Sequence, residues 1–303
     1  RCQFFECPLE TLYVGRNLYL TEDLNFRYKT NLSVTIDNNV TNIDFLRCEN
    51  IIEFNIPESA KDFDRYDLIS NGWWKSQPDG LIYKDSWLLG YKGEMPTGDI
   101  EIAEGTKRII NGAFGGCTGI NSITLPNGVT TIGQSAFSGC TGLVEFNIPE
   151  SVTDIGNSTF LNTGWWNNLP DGVIYKDNWL LGYKGEKPTG DIEIAEGTKR
   201  IIKGAFQQCT DISSITLPNG VTTIGQSAFS DCTGLTSITI PSSVTKFERS
   251  AFYRSGVLNI RNVHISDLSA WYNIEFESSD SNPLSGGNLY LNGGLITNIE
   301  IPD

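Results

Sequence analysis

Residues 127–143 read NGVTTIGQSAFSGCTGL, and residues 219–235 read NGVTTIGQSAFSDCTGL. The two stretches start 92 residues apart and differ at one position, where Asp231 replaces Gly139. Near-identity at a fixed distance is typical of repeat proteins, in which each unit packs against a neighbour of the same shape. We therefore expect further copies of this unit elsewhere in the chain.

A phenylalanine recurs on a grid of 23 residues through most of the chain. The grid phenylalanines are Phe45, Phe114, Phe137, Phe160, Phe206, Phe229 and Phe252. Leu68, Tyr91 and Tyr183 fill the remaining grid points with large apolar or aromatic side chains. A unit this short cannot bury its own apolar face, so the grid predicts stacked coils whose strands pair with the next coil.

Cysteine and proline follow the same grid. Cysteines stand three residues after their phenylalanine, and prolines stand nine residues after the cysteine: Cys48, Cys117, Cys140, Cys209 and Cys232, then Pro57, Pro126, Pro149, Pro218 and Pro241. Each coil is predicted to hold one strand, as in INSITLP, and a second extended or 3₁₀ segment, as in VTTIGQSAF. A Pro-Asn-Gly turn separates them, because Pro cannot donate to a ladder and Gly tolerates a positive φ.

A longer period predicts the domain organisation. Residues 45–136 and 137–228 are two super-repeats of 92 residues, and with one further coil they form a regular solenoid over 45–254. Residues 1–44 and 255–303 are predicted to form irregular terminal coils. Each super-repeat also contains a hairpin pattern, as in PDGLIYKDSWLLGYKG over 78–93, with Lys84 and Asp85 at its turn.

The stretch ITLPNGVTTIGQSAFSGCTGL (123–143) resembles the BspA-like class of leucine-rich repeats at nearly every defining position. The resemblance covers most of the chain, although Ser255 stands where that class has Cys. It implies a β-rich solenoid, a right-handed leucine-rich-repeat superhelix of 23-residue coils. It further implies a secreted or surface-anchored bacterial protein that adheres to host matrix proteins or to other microbes.

Composition excludes several classes of partner. The chain has 303 residues and a formal net charge of −14, so nucleic acids and anionic lipids are disfavoured. No apolar stretch approaches the roughly 18 residues of a membrane span, and no signal peptide is visible. Because the chain begins at Arg1 and stops soon after Pro302, we expect a mature product or a cut fragment.

The grid cysteines are predicted to be free, buried thiols that pack as small apolar side chains. A disulfide between adjacent coils is the alternative, since the strand spacing permits it by distance. Zinc is disfavoured because there is no CxxC pair and the only histidine is remote in sequence. Cys2 and Cys7 lie off the grid, where they can pair with each other.

No catalytic residue, metal site or cofactor is predicted. His264 alternates with apolar residues on a predicted strand, which favours a structural role, and a nucleophilic triad would have to use it. Carboxylates recur at Asp99, Glu101 and Glu104 and again at Asp191, Glu193 and Glu196. A glycosidase pair or a calcium site would suit them, but a solvated polar face is the favoured interpretation.

The aromatic residues of each super-repeat are candidate ligand-binding residues. They are Trp73, Trp74, Tyr83 and Trp87, with Trp165, Trp166, Tyr175 and Trp179 in the second copy. Adjacent Trp residues on an extended segment point to opposite sides, so at least one of each pair is expected to be exposed. Exposed Trp stacks on sugars or anchors a protein partner. The alternative is a local core that holds the hairpin.

The function predicted from these observations is an extracellular, non-catalytic binding or adhesion module, acting as a monomer. Its partner would be a host matrix protein or another surface protein, contacted through the concave strand face. The polar positions predicted for that face are Asn121, Ser122 and Thr124 and their twins Ser213, Ser214 and Thr216. Glycan binding through the Trp-bearing hairpins and a purely structural spacer are the alternatives.

Overall fold

A computed structural model describes residues 10–15, 31–41, 50–60, 63, 65–255, 260–284 and 287–297 of the chain. The chain forms two compact units, Arg1–Leu169 and Pro170–Asp303. None of the helices within the described ranges has the length and apolar character needed to cross a membrane.

The described residues of unit 1 form three sheets. Its strands are β1 (Thr11–Val14), β2 (Leu32–Ile36), β3 (Ile51–Phe54), β4 (Gly80–Lys84), β5 (Trp87–Lys92), β6 (Gly98–Glu101), β7 (Arg108–Ile109), β8 (Ile120–Thr124), β9 (Thr131–Ile132), β10 (Glu145–Phe146) and β11 (Asp154–Ile155). The described part of unit 1 also contains short helices α1 (Gly72–Ser76) and α2 (Gly164–Asn167) and a 3₁₀ turn (Arg65–Asp67). The sheets have the orders β1-β2-β3, β10-β8-β6 and β11-β9-β7-β5-β4.

In unit 2, the residues that the structure describes form two sheets of six strands each. Its strands are β12 (Gly172–Lys176), β13 (Trp179–Lys184), β14 (Gly190–Glu193), β15 (Arg200–Ile201), β16 (Ile212–Thr216), β17 (Thr223–Ile224), β18 (Ser237–Ile240), β19 (Lys246–Phe247), β20 (Asn262–Ile265), β21 (Glu275–Phe276), β22 (Asn288–Leu291) and β23 (Gly294–Leu295). Helix α3 (Leu268–Tyr272) and a 3₁₀ turn (Ser279–Ser281) lie near its end. The sheet orders are β14-β16-β18-β20-β22-β23 and β12-β13-β15-β17-β19-β21.

Two kinds of sheet therefore alternate along each coil. Sheet I comprises β6, β8 and β10 in unit 1 and β14, β16, β18, β20, β22 and β23 in unit 2, and four of these strands, β8, β10, β16 and β18, lead into proline. Sheet II comprises β4, β5, β7, β9 and β11 in unit 1 and β12, β13, β15, β17, β19 and β21 in unit 2. Ser122 pairs with Glu145 in sheet I, and Thr131 pairs with Asp154 in sheet II, both in parallel. A register of one coil per 23 residues confirms the predicted β-solenoid.

The grid phenylalanines form the core of each unit, as predicted. In unit 1, the Phe137 ring stacks between Phe114 and Phe160 at centroid distances of 5.6 and 5.7 Å. In unit 2, Phe229 stacks on Phe206 at 5.6 Å and on Phe252 at 5.3 Å. These side chains are buried, as are Leu68 and Tyr91, whereas Tyr183 is half-buried. Phe45 lies outside the described residues.

The cysteines pack behind this ladder as free thiols. Cys117, Cys140, Cys209 and Cys232 are all buried and unpaired, which confirms the prediction for these four. The Cys140 thiol donates to the Phe114 carbonyl at 3.1 Å, and the Cys232 thiol makes the same bond to Phe206. Cys2, Cys7 and Cys48 lie outside the described residues, so the pairing of the first two stays a prediction.

The one difference between the repeated stretches lies at a left-handed turn position. Gly139 has a φ of 74°, and its twin Asp231 has a φ of 57°. Gly, Asn and Asp are the residues that tolerate this region best, so either copy is acceptable. A Cβ at residue 139 would meet only Gly116 backbone atoms at 3.6 Å, which is ordinary contact. The substitution therefore leaves the coil unchanged.

The predicted hairpins are present in both units. β4 pairs with β5 and β12 pairs with β13, each antiparallel, with Asp85 and Ser86 forming the connection in the first. Lys84 is the last residue of β4 rather than part of the turn. Each hairpin joins sheet II through its second strand, where β5 pairs with β7 and β13 with β15 in parallel. The boundaries 1–44, 45–254 and 255–303 stay a prediction.

Candidate functional site

The six polar positions predicted for the strand face lie on sheet I of the two units. They are Asn121, Ser122 and Thr124 on β8, and Ser213, Ser214 and Thr216 on β16. Asn121 and Thr124 are exposed and Ser122 is half-buried, and unit 2 repeats this pattern. Ile120 and Ile123 alternate with them and are buried. The positions are accessible as expected, and their role in binding stays a prediction.

The repeated carboxylates flank the same polar positions. Asp99 Oδ1 accepts a hydrogen bond from the Ser122 hydroxyl at 2.7 Å, and Asp191 Oδ1 accepts one from Ser214 at 2.6 Å. Asp99, Glu101 and Glu104 are exposed, and so are their twins Asp191, Glu193 and Glu196. The favoured interpretation, a solvated polar face, is therefore confirmed. Within the described ranges, no three His, Cys, Asp or Glu side chains gather as a metal site requires.

The prediction for the adjacent Trp residues is wrong in its geometry. Trp73 and Trp74 lie on helix α1 rather than on an extended segment, and they are only 8% and 5% exposed. In α2 of the second copy, Trp166 is buried and Trp165 is half-buried. Successive side chains on a helix diverge by about 100°, so both can turn toward the same core. A capping residue precedes each Gly-Trp-Trp segment and stabilises the first turn of its helix.

The caps are specific contacts. The Asn71 side chain accepts a hydrogen bond from Trp74 N at 2.7 Å, and the Thr163 hydroxyl accepts one from Trp166 N at 3.1 Å. The ring of Trp73 then meets Phe54 edge to face at 5.2 Å. The half-buried Trp165 of the second copy meets Phe146 edge to face at 5.1 Å.

The remaining aromatic candidates hold the hairpins in place. Trp87 and Trp179 are buried on the second hairpin strands. The guanidinium carbon of Arg108 lies 4.8 Å from the Trp87 ring centre, and Arg200 lies 5.3 Å from that of Trp179. Burial of these Trp side chains agrees with the alternative interpretation, a local core under each hairpin, and a ligand-binding role for the eight aromatic residues stays a prediction.

Tyr83 and Tyr175 connect the hairpins to the end of the neighbouring sheet I strand. The Tyr83 hydroxyl accepts a hydrogen bond from Ala103 N at 3.2 Å, and the Tyr175 hydroxyl accepts one from Ala195 N at 3.1 Å. Burial raises the pKa of both phenols. Each tyrosine is half-buried, and its polar end is committed to this backbone contact.

His264 lies on strand β20 of sheet I, as the alternation of the sequence predicts. Its side chain is half-buried on the outward face, because Val263 and Ile265 take the inward positions. The imidazole stacks on the Tyr290 ring with centroids 4.8 Å apart and planes 20° apart. Sequence reasoning missed this pair, although NVHI (262–265) and NLYL (288–291) share the same alternation. The two segments are 26 residues apart and so lie off the grid.

The buried thiols are not nucleophiles in this setting. Burial raises the pKa of Cys140 to about 12 and that of Cys232 to about 12. The pKa values of Cys117 and Cys209 are also raised, mainly by burial. A thiol must ionise to attack or to bind a metal, so these four act as packing groups.

Comparison with protein families matches the chain to the BspA type leucine rich repeat region, in six copies over residues 1–70, 91–169 and 183–281. Among solved structures, a leucine rich repeat protein of T. pallidum is similar at 22% identity and a TM-score of 0.32, covering 66% of this chain and 89% of that one. The pneumococcal vaccine antigen PcpA is similar at 16% identity and a TM-score of 0.34, over 94% and 76%. A leucine rich cell surface protein of Faecalibacterium prausnitzii A2-165 is similar at 22% identity and a TM-score of 0.28, over 89% and 86%. The search of curated proteins finds no match.

Proposed function

Because the chain belongs to the family of BspA-type leucine-rich-repeat proteins, we propose that it is an extracellular binding module on a bacterial surface, without catalytic activity of its own. The partner that we propose is a host matrix protein or another surface protein, bound by a monomer. The observation that carries the proposal is the outward side of sheet I. In both units it presents small polar side chains in register, beginning with Asn121 and Ser213.

The chemistry of this side suits a protein surface better than a small molecule. Hydroxyl, amide and carboxylate groups supply hydrogen-bonding groups over several adjacent strands, whereas a small-molecule site needs a concave and largely apolar pocket. Weak contacts repeated over two units add up when both bind the same large partner. A formal net charge of −14 further favours partners with basic surfaces.

The glycan alternative depended on exposed Trp faces. Trp74 and Trp166 are buried, so their replacement by Ala would weaken the fold rather than remove a sugar platform. We therefore do not propose glycan binding through the hairpins. The structural spacer remains the competing function.

The test is binding of the full chain to a panel of purified extracellular-matrix proteins by biolayer interferometry. The variant is Thr124→Arg with Thr216→Arg, which places a long charged side chain at twin exposed positions of sheet I. We expect this variant to weaken binding roughly tenfold or more, as for loss of a central contact residue. The matched control is Gln134→Arg with Gln226→Arg, which adds the same charges at twin exposed positions in the turns that follow sheet II.

The outcomes separate the two functions. Binding that is lost in the Thr variant and kept in the Gln variant supports the proposal, provided both variants unfold at the temperature of the original chain. Binding that survives both changes places the contact elsewhere and contradicts it. Failure to bind any matrix protein, and any purified bacterial surface protein tested alongside, favours the spacer.

A further inference from the structure

The outward side of sheet I in unit 2 has a composition that changes from one end to the other. One row of outward side chains crosses all six strands in register. In strand order the row is Glu193, Thr216, Thr239, His264, Tyr290 and Leu295. It therefore runs from a carboxylate through two hydroxyls to an imidazole, a phenol and an aliphatic side chain.

The acidic end of this row lies on β14. Glu193 and its neighbour on the same side, Asp191, are both exposed. Asp191 accepts the Ser214 hydroxyl, and neither carboxylate forms an ion pair with any residue in the described part of the chain. Two carboxylates on one edge strand thus face solvent without a cation of the protein's own.

The other end of the row is aromatic and apolar. His264 and Tyr290 are stacked with centroids 4.8 Å apart, so their ring edges form one half-buried surface. Leu295 on β23 pairs with Tyr290 and is 50% exposed. Arg261, three residues before His264, lies at this end of the row.

Unit 1 has the acidic end of this row but not its aromatic end. Glu101 pairs with Thr124 in the same register, and Asp99 pairs with Ser122. Sheet I of unit 1 then ends at β10, where Glu145 pairs with Ser122. The chain thus contains a matched copy of the carboxylates that lacks the imidazole and phenol.

We propose that the row in unit 2 binds an extended protein segment that carries a cationic side chain at one end and an aromatic side chain at the other. The inference rests on the proposed function and specifies its partner. The unpaired carboxylates attract Lys or Arg, and the His264–Tyr290–Leu295 surface offers apolar area and ring edges to an aromatic side chain.

The spacing of the strands sets the spacing in the partner. Strand β14 is three strands from β20 and four from β22, which corresponds to about 14 and 19 Å at the usual distance between strands. An extended chain advances about 3.3 Å per residue, so the cationic and aromatic residues are expected about four to six positions apart. The segment crosses the strands rather than pairing with an edge.

His264 supplies a direct measurement, because it is the only histidine of the chain. The probe is the capped hexapeptide Arg-Ser-Ser-Ser-Ser-Trp, titrated to millimolar concentration into the full chain. The observable is the NMR signal of the His264 imidazole. We expect a saturable shift of this signal, and a smaller shift with the capped dipeptide Arg-Trp at equal concentration.

Paired variants assign the acidic end. Asp191→Asn with Glu193→Gln is expected to weaken peptide binding about fivefold, the loss of two exposed charge contacts. The matched control, Asp99→Asn with Glu101→Gln, removes the same charges in unit 1 and is expected to leave the affinity unchanged. Leu295→Ser, at an exposed position, is expected to weaken binding as well.

Three results would overturn the inference: no shift of His264 with the hexapeptide, an equal shift with the dipeptide, or an equal effect of the two charge-removing variants. The two binding experiments distinguish failure of this inference from failure of the proposed function. A matrix protein that binds the chain and is sensitive to the Thr124→Arg/Thr216→Arg change, with no response of His264 to the peptide, leaves the binding module in place and removes only this partner.

Discussion

At the scale of single residues, each coil position has a defined physical task, and Ser255 illustrates how strictly the cysteine position is defined. This residue stands three positions after Phe252, where other coils have Cys, and it is fully buried. Its hydroxyl donates to the Phe229 carbonyl and accepts from Cys232 N at 2.7 Å. Cys140 and Cys232 donate to the equivalent carbonyl of the preceding coil. The position therefore requires a small side chain that can donate to a backbone carbonyl.

Replacement of Cys140 tests this role. We expect Cys140→Ser to cost less than about 1 kcal/mol, because a hydroxyl reaches the Phe114 carbonyl as Ser255 reaches that of Phe229. Cys140→Ala is expected to cost about 1–3 kcal/mol, since the Phe114 carbonyl loses one of its two donors and keeps only Cys117 N, and since the missing sulfur leaves a small cavity. Urea unfolding followed by tryptophan fluorescence measures both. A Ser variant less stable than the Ala variant would show that the thiol packs only by volume.

At the scale of elements, the Gly-Trp-Trp segments show how a single capping residue chooses helix over strand. Asn71 is fully buried and Thr163 likewise, and each accepts a backbone N–H of the first helical turn. A side-chain oxygen at this position satisfies a donor that has no partner within the helix. The Asn71 cap thus stabilises the first turn of α1, in which both Trp side chains are buried.

Removal of the cap is expected to destabilise unit 1. Asn71→Ala should lower the free energy of unfolding by about 1–2 kcal/mol, because Trp74 N loses its acceptor in a buried setting. Thermal unfolding followed by circular dichroism provides the measurement. Asn71→Thr is the matched control, since Thr163 caps the twin helix in the same way. Equal losses in the Ala and Thr variants would contradict the role of the cap.

At the scale of the whole molecule, the buried thiols make the free energy of unfolding vary with pH in the alkaline range. The pKa of Cys140 and that of Cys232 are about 12 in the folded chain because of burial, whereas an unfolded thiol ionises near 8.5 to 9. A folded pKa above the unfolded one means that the stabilisation is complete below about pH 9. It is then lost as pH rises toward 12, because the unfolded chain releases protons that the folded chain retains.

The expected result is a fall in the free energy of unfolding between pH 8 and pH 10, on the order of 1 kcal/mol for each of these two cysteines. Burial also raises the pKa values of Tyr83, Tyr91, Tyr175 and Tyr183; because an unfolded phenol ionises near 10, these tyrosines lower the stability in the same direction but above this pH range. Urea midpoints measured across this range give the slope. The variant Cys140→Ser with Cys232→Ser should have a shallower slope, and an unchanged slope would exclude the thiols as its cause.

The amino-acid sequence by itself determined the coil, its period and its core. A solenoid repeats the same local contacts in every coil. The position of a residue such as Phe137 or Cys140 within its coil therefore predicts which residues of the adjacent coil it contacts. The hairpins were also predictable, because alternation and turn residues act over a few positions. The polar positions of β8 and β16 followed from the same alternation.

Only the tertiary structure decided which aromatic side chains are exposed and what completes the outward row of sheet I. The sequence predicts that Trp73 and Trp74 lie on an extended segment. In the structure both are buried on a helix that Asn71 caps, and the Trp73 ring packs against Phe54. His264 and Tyr290 meet only because their strands pair at a separation of 26 residues, outside the grid of 23. Burial and cross-strand contact depend on residues that are distant in sequence, and a repeat pattern specifies such partners only where the period is kept.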